Sequence, residues 1–109
     1  MNYKKLIRDN ITEHLDNKGI EYTSHIADEK EYWEKLQDKL QEEVAETISE
    51  MKFENNEKIT EELADILEVI HAIANHRNIK LEDIEHIRKL KKEEKWGFDE
   101  RIILDETID

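Results

Sequence analysis

Apolar residues recur along most of this chain at the three- and four-residue intervals of amphipathic helices. From about Asp28 to Phe53, Trp33, Leu36, Leu40, Val44, Ile48 and Met51 form one stripe, which predicts a first long helix. Asn55–Asn56 breaks the pattern, and Thr60–Glu61–Glu62–Leu63 is expected to open a second long helix on a threonine cap. Its stripe runs through Ile59, Leu63, Ile66, Leu67, Ile70, Ile73 and Ala74, and Val69 widens the arc enough to meet more than one neighbour. After Arg77–Asn78, the residues Leu81, Ile84, Ile87 and Leu90 predict a third, more basic helix from Leu81 to about Lys95, ended by Trp96–Gly97–Phe98. Upstream, residues 9–18 read as a shorter helix capped by Asp9 or Asn10 and closed by Gly19. The stretch Ile20–Ile26 looks extended, but one short segment cannot make a sheet. The expected class is all-α: a helical bundle with two long central helices, a third helix and short extended ends.

Composition agrees with that reading. The chain has no proline, two glycines and 42% charged residues, which suits long helices better than sheets. Its 109 residues fit a single domain over 1–109, of a size at which oligomerisation commonly completes the core. With 29 acidic residues against 17 Lys plus Arg, the net charge is -12, which disfavours a nucleic-acid polymer or an anionic membrane as partner. The absence of cysteine removes disulfides and thiolate metal sites, and no apolar run approaches the roughly 20 residues needed to span a bilayer. A cytoplasmic protein is expected.

The candidate chemistry lies in two acidic signatures, Glu42–Glu43–Val44–Ala45–Glu46 and Glu62–Leu63–Ala64–Asp65. Each places two carboxylates three residues apart, on one side of a helix. Glu43 falls roughly 20° from Leu36 on the helical wheel, and Glu62 points between the Ile66, Val69 and Ile73 directions. Acids beside apolar stripes need a partner, because ionised carboxylates gathered out of water repel and lose hydration. A divalent metal supplies one. All-oxygen sites suit Mg2+, with Mn2+ as the second choice, whereas Zn2+ usually recruits His or Cys as well. Glu68–Val69–Ile70–His71 has the Glu-x-x-His form of di-iron bundles, but those need the motif on each of two helices, and Asp83–Ile84–Glu85–His86 offers only an aspartate analogue.

Lys39–Leu40–Gln41–Glu42–Glu43–Val44–Ala45–Glu46 followed by Glu62–Leu63–Ala64–Asp65 resembles the signature of the MazG-like all-α nucleotide pyrophosphohydrolases. Phosphoribosyl-ATP pyrophosphohydrolase and the dimeric dUTPases belong to the same superfamily. Tyr3 to Ile11 is similar to the opening of a small MazG-like subgroup, and Lys95–Trp96–Gly97–Phe98 through Leu104 to its ending. Asn10 stands where that subgroup usually has lysine, Thr12 where it has proline and Trp96 where it has glycine.

The resemblance implies that Glu43, Glu46, Glu62 and Asp65 bind Mg2+, and a neighbouring carboxylate such as Glu42 or Glu46 could accept a proton from the attacking water. It also implies cleavage of a nucleoside triphosphate, or a phosphoribosyl-ATP-like substrate, between the α and β phosphates, a reaction suited to clearing noncanonical nucleotides. The bundle would be completed as a homodimer or homotetramer. Phosphates need cationic donors, for which Arg8, Lys39, Lys92, Lys95 and Arg101 are the candidates, and Trp33 or Trp96 could stack a base, although Trp33 suits the core. The competing reading is a non-enzymatic acidic helical module that binds a partner or an ion.

Overall fold

The computed structural model describes residues 3–108. Among them are four helices and no strand: α1 (Ile11–Asn17), α2 (Glu29–Lys52), α3 (Asn56–His76) and α4 (Leu81–Lys95). The chain divides into two compact units, one up to Ile73 and one from Ala74.

Local chemistry sets the helix ends. Asp28 caps α2, its carboxylate accepting the Glu31 amide at 2.8 Å. Asn55 does the same for α3, accepting from the Lys58 amide at 3.2 Å. The helix therefore opens four residues before the expected threonine cap. Thr60 lies inside it, with its hydroxyl donating to the Asn56 carbonyl at 2.7 Å. At α1 the cap position falls on Asn10, whose side chain makes no capping bond. Gly19 closes α1 as expected: its φ of 69° allows the Ile20 amide to reach the Leu15 carbonyl at 3.0 Å and its own amide to reach Asp16, the paired bonds of a Schellman motif. Asn78, at φ 57°, performs the same closure for α3 through Ile79 and Ala74. α4 ends on Trp96 at φ 68° and ψ -169°, a conformation that glycine adopts freely and other residues rarely do. The subgroup glycine that Trp96 replaces thus stands where the backbone calls for one.

In the first unit α2 and α3 pack together, joined by the short turn of residues 53–55. The inward face of α2 is Leu36, Glu43 and Thr47, with Leu36 at 1% exposure, and Val69 is buried on α3. Thr47 is satisfied there by donating to the Glu43 carbonyl at 2.7 Å. This face is rotated from the expected stripe. Val44, Ile48 and Met51 on α2, and Leu63 and Leu67 on α3, are 39–58% exposed. In the second unit α4 buries none of its residues, and Leu81, Ile84, Ile87 and Leu90 face solvent.

Replacing Asp28 with Ala should remove the α2 cap at a cost of about 1 kcal/mol. Thermal melts followed by circular dichroism should show a midpoint several degrees lower with the same folded-state helicity.

Candidate active site

Because α2 and α3 pack through the faces that carry their acidic signatures, three predicted ligands converge. Oxygens of Glu43, Glu62 and Asp65 lie within 4.8 Å of one another, making a cluster that can hold a metal ion. Two ligand oxygens on one small divalent cation sit about 3–4 Å apart. Glu43 is 6% exposed, and its Oε2, like Oε2 of Glu62, is buried without a hydrogen-bond partner. Buried carboxylate oxygens are rarely left so, and a cation is the partner their chemistry fits.

Electrostatics mark the same place. Loss of hydration, then the neighbouring Glu46 carboxylate, pushes Glu43 above the ordinary carboxylate range, while Lys39 partly offsets the rise. Glu46 is raised too, first by desolvation and then by Glu62. It lies beside the cluster rather than among its three converging groups. Glu42 faces a different environment, ion-paired to Lys39 and Lys5, each at 3.4 Å. Lys39 also pairs with Glu43 at 3.4 Å, and Arg8 bonds Asp65 at 2.7 Å. Two of the predicted phosphate ligands therefore already stand at the acids.

Lys92, Lys95 and Arg101 belong to the second unit, with Lys92 and Lys95 on the last turns of α4. All three are exposed. Trp33 is half-buried on α2 and Trp96 is exposed. The histidines of the Glu-x-x-His readings, His71 and His86, do not join the acidic cluster, and Glu43, Glu62 and Asp65 are the one metal-competent group among the described residues.

A cavity of about 240 Å3 adjoins the cluster. Arg8, Lys39 and Asp65 give it charged walls, and Leu36, Val69 and Ala72 give it apolar ones. Sequence reasoning missed Tyr32, the Lys5 contact to Glu42 and the place of Glu68, read there only as half of a Glu-x-x-His pair, in the cavity lining. Tyr32 and Glu68 do lie one turn beyond Leu36 and Asp65 on the same helix flanks, a signal available in the spacing. Nothing local in the sequence pairs Lys5 with Glu42.

A family model described as phosphoribosyl-ATP pyrophosphohydrolase matches residues 3–94, a span that includes both acidic signatures. No curated protein and no solved structure matches the chain.

The raised carboxylates give the ion-free protein a defined pH response. Where folding raises an acid's pKa, the folded state holds the proton more tightly, so stability is greatest below the unfolded value and is lost as pH rises through the folded one. Glu43→Gln removes one ionisation, and between about pH 4.5 and pH 7 the melting temperature should fall less for this variant than for the wild type in EDTA. Differential scanning fluorimetry across that range checks it.

Proposed function

The match spans most of the chain, which therefore belongs to the phosphoribosyl-ATP pyrophosphohydrolase family, and from this premise we propose that it is a Mg2+-dependent nucleotide pyrophosphohydrolase. Its substrate is a nucleoside triphosphate or a phosphoribosyl-ATP-like nucleotide, split between the α and β phosphates to give the monophosphate and pyrophosphate. The observation that carries the reading is the convergence of Glu43, Glu62 and Asp65 with two buried oxygens lacking partners. Mg2+ is favoured over softer ions because the donors are all carboxylate oxygens, and Mn2+ is the natural substitute. When bound, the cation would neutralise phosphate charge and make a coordinated water more acidic.

The residues of the chain divide the remaining work. Glu43, Glu62 and Asp65 form the ligand set, with Glu46 beside them. Glu46 is the better proton acceptor of the two candidates: its surroundings raise its basicity, whereas Glu42 is held by Lys5 and Lys39. Lys39, and Arg8 from the amino-terminal segment, supply positive charge to phosphates at the mouth of the cavity. The apolar wall of Leu36, Val69 and Ala72 suits the nucleoside end of the substrate. No helix among the described residues is long and apolar enough to cross a membrane, and the cysteine-free composition suits the cytoplasm.

We further propose a homodimer or homotetramer in which a second copy covers the exposed Val44, Ile48, Met51, Leu63 and Leu67. Such a face is costly to leave in water, and association with a second copy would bury it.

Two measurements test the reading. Pyrophosphate release from a panel of canonical and modified nucleoside triphosphates and phosphoribosyl-ATP should require Mg2+ or Mn2+ and stop in EDTA. Glu62→Gln should lower it by at least about two orders of magnitude without changing helicity; retained turnover in this variant would end the assignment. Light scattering on an Ile48→Glu, Leu67→Glu double variant should report a smaller assembly than the wild type, and an unchanged mass would remove this face from the interface.

A further inference from the structure

Residues 3–10, which precede α1, form no helix or strand, yet they are tied to the acidic helices at two points: Lys5 to Glu42 at 3.4 Å and Arg8 to Asp65 at 2.7 Å. The second tie is unlike an ordinary surface pair. Asp65 belongs to the converging carboxylates, so the Arg8 guanidinium stands where a positive charge is most needed in their neighbourhood. Arg8 also lines the cavity that adjoins the cluster, together with Lys39, Glu43 and Asp65.

We propose that Arg8 is an exchangeable counter-cation. It holds the Asp65 carboxylate while the centre is empty, yields it to the divalent ion, and then serves the substrate phosphates from the cavity wall. This rests on the metal-dependent reading above and adds a coupling to it. A carboxylate oxygen bonded to guanidinium has less charge and less freedom to offer an incoming ion, so the two cations compete. The exchange is feasible because the Arg8 and Asp65 side chains keep 57% and 37% of their surface exposed, and an ion pair in such contact with water contributes little. It also protects the empty site, since Asp65 would otherwise add an uncompensated charge beside the buried Glu43 carboxylate. Substrate phosphates then find an arginine released only where the ion is in place. Lys5 provides the contrast, because its partner Glu42 lies outside the converging group.

The test is calorimetric titration of Mn2+ into ion-stripped full-length protein without nucleotide, repeated for Arg8→Gln, Arg8→Lys, Lys5→Gln and Asp65→Asn. Arg8→Gln should bind Mn2+ about two- to fivefold more tightly than the wild type, the range an exposed ion pair can withhold. Lys5→Gln should stay close to the wild type, although it removes the same unit of charge, and Arg8→Lys should fall between the wild type and Arg8→Gln. With Mn2+ saturating, a triphosphate analogue bearing a methylene bridge between the α and β phosphates should bind Arg8→Gln roughly tenfold more weakly, the loss expected for one charge-assisted phosphate contact. Equal Mn2+ affinity in Arg8→Gln and wild type, or equal strengthening in Lys5→Gln, would overturn the exchange, even where Asp65→Asn abolishes binding and so supports the metal centre. No saturable Mn2+ binding by the wild type would overturn the metal reading, and the exchange with it.

Discussion

Three carboxylates converging between two packed helices, with a fourth beside them, impose the constraint around which the rest of the structure is organised. Two unit charges 4–5 Å apart near a protein surface repel by about 3–4 kcal/mol before solvent screening. Glu43, Glu62 and Asp65 are that close, Glu46 stands next to them, and Glu43 is nearly removed from water. A chain that folds this way must supply positive charge, take up protons or bind a cation. It does the first through Lys39 and Arg8, and it shows a tendency to the second in the raised carboxyls of Glu43 and Glu46. The third is the role we propose for a divalent ion.

That constraint explains why the first unit is built as it is. The deepest position of α2 is Leu36, roughly two turns from the buried Glu43, so apolar packing and charge occupy successive turns of one face. The apolar portion continues into a cavity wall with Val69, while the charged portion gathers cations from α2 itself and from the segment before α1. Charged and apolar walls are thereby placed side by side on one helix pair.

Much of this was legible in the chain. The bounds of α2 and α4, the closure at Gly19 and the convergence of Glu43 with Glu62 and Asp65 follow from helical periodicity and from acids three residues apart. Two features were not. Periodicity identifies an apolar stripe but not which of its edges meets the neighbouring helix, and here α2 turns Glu43 and Thr47 inward while Ile48 and Met51 face out. The start of α3 was misplaced because Asn55 and Thr60 are both competent caps, and the turn after Phe53, with Glu54 at φ 53°, selects the earlier one. The pairing of Arg8 with Asp65 links residues far apart in the chain, and no local rule reaches across that distance.

The turn of residues 53–55 bears on the order in which the molecule assembles. It joins the two helices that carry every converging ligand, so the loop to be closed is short and the entropy lost in closing it is small. Contacts of such low sequence separation form early in folding. A hairpin of α2 and α3 can thus gather its carboxylates while the remainder of the chain is still unfolded, and a divalent ion that binds the gathered set would favour the folded hairpin from that moment. The proposed metal centre would then also act on the folding rate, with the divalent ion in the role of a folding partner.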